Sequence, residues 1–321
     1  MSKTIRLLAT VSRAEFVLPN LVSLTMGLAW AANPTVNLSG LLIATLLAFC
    51  VINLSSGIGA QVNTISDREL DSRDDRKKRL VESLERFGRR RLKSLLVLEF
   101  LSAIVLVSLL AYVQGKPALI LLWIAGILFG CMYSAPPFRL KARSWMALGS
   151  LIPALSIIPV SFVYYAATSE LNPLFFISVA GLTLSVYGVI IPTEIRDYFG
   201  DTAMGVKTMT AHLGLVKASK LEIVLLGVGG FLTGTAFVLG FAVGHLAILS
   251  PIVLVIGVAV YFVLRKYRQL LTLAEKYALT KEQAIAQDLV DLSADNPKWI
   301  TLVTQVYSLV SIVFLVSKFL S

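Results

Sequence analysis

Apolar stretches long enough to cross a bilayer recur along this chain, separated by short polar segments. In hydrocarbon every backbone N–H and C=O must be satisfied internally, so runs of roughly 20 apolar residues are helices there. We place nine, at about 14–32, 38–60, 92–113, 117–135, 145–167, 172–192, 220–242, 246–264 and 299–318. Glu15, Pro19 and Asn20 interrupt the first. Only 15% of the 321 residues are charged and mean hydropathy is +0.79, whereas a soluble domain is about a quarter charged. The expected fold is all-α and integral to the membrane, one domain over 1–321 without a low-complexity linker.

A net charge of +10 would suit a nucleic-acid binder, but its distribution points elsewhere. All Lys and Arg except Lys116 and Lys318 fall on one side of the nine-span arrangement. That asymmetry is the positive-inside pattern. It puts the N-terminus in the cytoplasm and the C-terminus outside, in a plasma membrane of prokaryotic type, with no nucleic acid as partner. The start imitates a secretory signal, with Lys3, Arg6 and Arg13 before an apolar run. Removing it would leave the first bundle half a helix short, so we read it as retained. Cys50 and Cys131 lie inside spans and imply no disulfide. His212 and His245 are isolated, which leaves a zinc site unsupported.

Two acidic arrays carry the chemistry. Asn63, Asp67 and Asp71 end the second span at four-residue steps, and Glu194, Asp197 and Asp201 end the sixth. Such spacing stacks carboxylates on one helix face. Stacked like charges repel, so a fold that keeps them is expected to neutralise them with cations. Magnesium takes one or two carboxylates, keeps several waters and binds phosphate oxygens. Facing arrays would hold Mg²⁺ through Asn63, Asp67, Asp71, Glu194, Asp197 and Asp201, and through it a diphosphate. The blander reading of either array is a solvated helix end.

The aspartate pairs share an offset of 130 residues, suggesting halves at about 14–135 and 145–264 plus an extra helix at 299–318. Repeat halves meeting at a central site are common in membranes. Segment 80–92 reads as a short amphipathic surface helix, 209–221 as its counterpart, and 266–298 as a surface hairpin. Asn53, Ser56, Ala60 and Asn63 form a small-and-polar stripe that suits either helix packing or a wet cavity. Pro192 should bend the sixth span. Glu99 and Glu222, inside spans, are read as snorkelling to the surface.

Basic residues near the arrays would complete a diphosphate cradle: Arg68, Lys78, Arg79, Arg139, Lys141, Arg143, Arg196 and Lys207. Each alone is also what the positive-inside rule supplies. Arg139 and Lys141 follow Tyr133-Ser-Ala-Pro136-Pro137, a stiff turn that fixes where the cations point. Tyr133, Tyr187 and Tyr198 have ring faces able to steady a carbocation, or simply pack.

These residues carry a resemblance. Asn63-x3-Asp67-x3-Asp71, Tyr133-Ser-Ala-Pro-Pro-Phe-Arg-Leu-Lys141 and Ile195-Arg-Asp197-Tyr-Phe-Gly-Asp201-x3-Gly205-x-Lys207-Thr208 are similar to the UbiA-type intramembrane prenyltransferases. The resemblance implies nine helices around a central chamber, with cytoplasmic helical caps from loops 2–3 and 6–7. It further implies Mg²⁺-dependent transfer of an isoprenyl group from its diphosphate. Carried over, Asn63, Asp67, Asp71, Asp197 and Asp201 hold metal and diphosphate, Arg139, Lys141 and Lys207 contact the diphosphate, and Arg13 matches a family arginine. Thr64 and Glu194 depart from the usual aspartates, and Leu80 and Leu84 stand where Pro and Gly are usual.

The expected activity is therefore Mg²⁺-dependent prenyl transfer from a polyprenyl diphosphate donor to a lipophilic acceptor in the bilayer, with release of diphosphate. Asp67, Asp71, Asp197 and Asp201 are the catalytic set, and Asn63, Arg13, Tyr133, Arg139, Lys141, Arg196 and Lys207 bind the diphosphate. The altered first array leaves a membrane terpene cyclase of the same superfamily as an alternative. An ion-coupled carrier is a third reading, opposed by the near absence of ionisable residues deeper in the spans.

Overall fold

A computed structural model describes residues 3–33, 38–72, 78–241 and 250–320. The end of the seventh expected span, the start of the eighth, His245 and the Arg79 side chain lie outside the described residues. Fifteen α-helices follow one another: α1 (Lys3–Val11), α2 (Val17–Ala31), α3 (Leu38–Ser66), α4 (Arg68–Asp71), α5 (Lys78–Phe87), α6 (Arg89–Gln114), α7 (Ala118–Ser134), α8 (Trp145–Ile152), α9 (Ile158–Ala167), α10 (Pro173–Ala203), α11 (Met209–Leu213), α12 (Leu215–Gly240), α13 (Ser250–Thr280), α14 (Gln283–Ala294) and α15 (Asn296–Leu320). The described residues contain no strand, only a single bridge between Arg143 and Lys207.

Seven described helical segments are long and apolar enough to cross a membrane. The fourth expected span is the shorter apolar helix α7, and the eighth becomes the first part of α13. The fifth is α8 and α9 joined by a π-turn over Pro153–Ile157. Pro153 and Pro159 have no N–H to give the ladder, so the helix widens there. Large apolar side chains such as Val105, Leu121 and Phe231 stay exposed on the outside. In water such a surface would aggregate; in a bilayer it is the solvated face.

Two cores form. One gathers α3, α6, α7 and α9 around Val51, Val107, Trp123 and Phe162. The other gathers α2, α10, α12, α13 and α15 around Met26, Trp30, Leu182, Phe237 and Phe314. The polar stripe on α3 is partly packing: Asn20 on α2 donates to Asn53 Oδ1 (3.2 Å) and Ser56 Oγ (3.0 Å). Lys116 donates to Tyr165 O (2.8 Å) at the end of α9, and Lys318 to Ala29 O (2.8 Å) and Ala32 O (2.9 Å) at the end of α2. Each thus satisfies carbonyls that a helix C-terminus leaves open, where a cation also suits the dipole.

Snorkelling fails for Glu222, which is 0% exposed with both carboxylate oxygens buried between helices. It lies on the face of α12 that packs tightly against α10, so no path to the surface remains. Glu99 instead accepts a hydrogen bond from the buried Gln61 (2.7 Å).

The α10–α12 contact is made by missing side chains. A Cβ on Gly181 would sit 2.3 Å from Thr233 Oγ1 and 2.6 Å from Gly229 O. A Cβ on Gly229 would sit 2.5 Å from Gly181 O. Backbone cannot yield cheaply, so the helices would have to separate. Gly181→Val is expected to cost about 1–3 kcal/mol or more, seen as a lower melting temperature in detergent. Gly234→Ala, which meets nothing within 4 Å, should leave melting unchanged or raise it.

Candidate active site

The first array keeps its register through the break between α3 and α4. Asp67 N–H donates to Asn63 O (2.9 Å) and Asp71 N–H to Asp67 O (2.8 Å), so the three side chains stay on one helical face. Asp67 and Asp71 are buried, 5% and 6% exposed. A buried carboxylate is stable only with compensation. Asp67 is compensated by Lys141, which pairs with Oδ2, and by Arg139, whose Nη2 lies 3.5 Å from Oδ1. Asn63 Oδ1 accepts from Ser134 Oγ (2.6 Å) at the end of α7.

The second array ends α10. Arg196 grips its neighbour Asp197 with two parallel bonds, 2.8 and 3.0 Å. Glu194 Oε2 accepts from Thr210 N–H (2.9 Å) and Thr210 Oγ1 (3.0 Å), which anchors the cap helix α11. After Ala203 the helix closes with Val206 N–H to Asp201 O (2.8 Å) and Gly205 N–H to Thr202 O (3.2 Å). This closure needs a left-handed residue, and Gly205 supplies it with φ 68°. It returns the chain toward α11, and Thr208 then caps α11 through Ala211 N–H (3.2 Å).

One segment joins the arrays. Its Lys141 and Arg139 hold Asp67, while Ser144 N–H donates to Lys207 O (2.7 Å), two residues after Gly205. Arg139 (φ 40°) and Ser144 (φ 48°) both occupy the left-handed region. For side-chain-bearing residues that costs about 1–2 kcal/mol each, so the surroundings hold the segment in place. Tyr133 heads this segment at the end of α7, and the segment thus links the end of the first array to the loop after the second. Beneath lies an apolar cleft lined by Ile152, Leu155, Val186, Tyr187 and Ile190, too narrow as it stands to hold a water.

The other expected site residues are placed as follows. Arg13 pairs with Glu15 and lies over the Phe16 ring at 4.8 Å, and no described contact ties it to either array. Arg68 is turned to Glu85 (2.6 Å) on the amphipathic helix α5. The Lys207 side chain is exposed. Thr64 is 2% exposed and donates to Ala60 O (2.9 Å), so it points into packing rather than toward the array.

Sequence reasoning missed three side chains: Ser134, Thr210 and Asn296. Asn296, 0% exposed, donates to Val189 O (2.7 Å) and Thr193 Oγ1 (2.9 Å). Pro192 has no N–H to give the Gly188 carbonyl, and Asn296 ties the same turn to the last helix just before Glu194. Ser134 sat inside a quoted motif. The partners of Asn296 lie more than 100 residues away, so no local pattern marks it.

Residues 20–278 match the description of the UbiA prenyltransferase family. The chain belongs to this family. A hop (Humulus lupulus) chloroplastic 2-acylphloroglucinol 4-prenyltransferase is 29% identical over 203 residues, covering 61% of this chain and 47% of that protein. The 34 kDa chain of bacteriochlorophyll synthase from Chloroflexus aurantiacus is 25% identical over 175 residues, covering 54% and 53%. The chain thus spans about half the length of the curated relatives it matches. A UbiA homologue from Archaeoglobus fulgidus, solved bound to DMAPP and Mg²⁺, shares the fold at TM-score 0.59 and 16% identity, covering 93% of this chain and 99% of that one. A digeranylgeranylglyceryl phosphate synthase superposes at TM-score 0.60 and 14% identity over the whole of both chains.

The UbiA arrays suit a hard divalent ion. Asp67 Oδ1 is buried with no hydrogen bond and only the Arg139 guanidinium at 3.5 Å, so lone pairs remain for a cation. Among the described residues no three His, Cys, Asp or Glu side chains close into a metal site by themselves.

The ion pair at Asp67 gives a direct check on this geometry. Lys141→Met should destabilise the protein by about 3 kcal/mol, because it strands a buried carboxylate. Adding Asp67→Asn should recover most of that loss in a double-mutant cycle read by detergent melting. Additive losses would mean the two side chains do not meet.

Proposed function

We propose that this UbiA-family chain is a membrane prenyltransferase, moving an isoprenyl group from its diphosphate to a lipophilic acceptor. The observation that carries the reading is the single segment whose Lys141 and Arg139 pair with Asp67 while its Ser144 N–H bonds Lys207 O just beyond the second array. Asp67, Asp71, Asp197 and Asp201, with Asn63 and Glu194 beside them, would hold Mg²⁺. When bound, that ion supplies Lewis-acid stabilisation to the leaving oxygens.

This chain's own residues do the rest. Lys141 and Arg139 sit where negative charge grows as the allylic C–O bond breaks and its electron pair leaves with the diphosphate. Lys207 adds charge from the second loop. Apolar side chains such as Ile152, Val186 and Ile190 keep water from the cation left behind. The Tyr133 and Tyr187 rings offer it a negative face. The acceptor then forms the new bond and gives up a proton. We further read the arrays as opening on the cytoplasmic face and segments 14–135 and 145–264 as halves of a repeat, on the positive-inside pattern and the 130-residue offset.

The relatives' names supply acceptors outside the donor, as in 2-acylphloroglucinol 4-prenyltransferase. With Thr64 turned into packing, that departure from the family pattern does not touch the ligand set, which supports transfer over the cyclase alternative at this position. Purified protein with Mg²⁺ should release diphosphate from a polyprenyl diphosphate in the presence of lipid extract. Asp67→Asn and Asp197→Asn should each slow release about a hundredfold or more, as should chelation by EDTA. Unimpaired turnover in both variants would overturn the reading.

A further inference from the structure

We propose that a groove between α13 and α14 binds the phosphate headgroup of an anionic phospholipid. The groove lies on the side of the bundle that carries the arrays: Lys266 pairs with Asp295, and the next residue, Asn296, bonds Thr193 beside Glu194. Here α13 passes from an apolar run into Arg265, Lys266 and Arg268. The three cations part ways. Lys266 turns inward, 4% exposed, against Asp295 and over the Trp299 ring at 4.9 Å. Arg265 and Arg268 stay on the outer face, and no described hydrogen bond or ion pair engages either guanidinium.

These arginines border a cavity of about 750 Å³ with Tyr261, Leu264, Gln269, Thr272, Leu273 and Leu292. No carboxylate lines it. Of the acids on the neighbouring turns, Glu275 pairs with Lys220 (3.4 Å) and Asp291 accepts from Gln287 (2.8 Å), while Asp288 lies one turn from Leu292 on α14. The cavity therefore presents two guanidinium forks three residues apart, on one helix face, shaped for phosphate oxygens. Tyr261 and Leu264 stand a turn before them, and Leu273 and Leu292 line the cavity beyond. A phosphate joined to an acyl chain meets both cations and apolar side chains, and a free anion meets only the cations. Basic pockets at such helix ends hold lipid headgroups for this reason.

Native mass spectrometry in neutral detergent tests it. Phosphatidylglycerol and phosphatidylcholine of equal chain length are titrated into wild type, Arg265→Gln/Arg268→Gln, and the control Arg90→Gln/Arg91→Gln. The control removes the same charge from the exposed start of α6. We expect a one-lipid adduct with phosphatidylglycerol, weakened about tenfold in the groove variant and unchanged in the control, with matched melting temperatures. Equal binding of both lipids, undiminished binding by the groove variant, or full displacement by inorganic phosphate would overturn it. The readout needs no turnover, so its failure would leave the prenyl-transfer reading untouched.

Discussion

Carboxylates gathered where water is scarce repel one another, and this fold is organised around meeting that cost. Asp67 is the clearest case, buried at the foot of a membrane helix and met by Lys141 and Arg139 from a separate loop. The same loop reaches the far side of the site through Ser144 and the Lys207 carbonyl. Charge compensation and the joining of the two arrays are thus one structural act. Truncating the loop would release both.

Around this junction the bundle supplies rigidity. The α10–α12 pair touches backbone to backbone at Gly181 and Gly229, so the helix bearing Asp197 and Asp201 has little freedom to drift. Pro192 weakens α10 just before the array, and Asn296 from the last helix ties that turn down through the Val189 carbonyl and Thr193. The closing turn at Gly205 then brings Lys207 and α11 back over the site. Thr210 completes the arrangement by binding Glu194, which gives that carboxylate a role in holding the cap beside any role toward a cation.

Much of this was legible in the sequence, for physical reasons. Apolar length betrays a bilayer helix, four-residue spacing survives folding unchanged, and the stiff Pro136–Pro137 turn does aim Arg139 and Lys141 at Asp67. What escaped depended on partners distant in sequence. Glu222 reads as a surface-seeking acid until the small-residue contact of α10 with α12 is seen to enclose it. Asn296 has no local signature at all. Arg13 matched a motif, yet Glu15 two residues on is its partner in the fold. The surface hairpin at 266–298 was foreseen in outline, while the inward turn of Lys266 to Asp295 was not.

The whole account stands on two acidic helices serving one leaving group. The most direct measurement is an experimental structure of the protein with Mg²⁺ and a non-hydrolysable prenyl thiodiphosphate. The account predicts one diphosphate lying between α3–α4 and the end of α10, with ions contacted from both and Lys141 redirected from Asp67 toward the phosphates. Diphosphate bound by one array alone, with the other facing elsewhere, would contradict it.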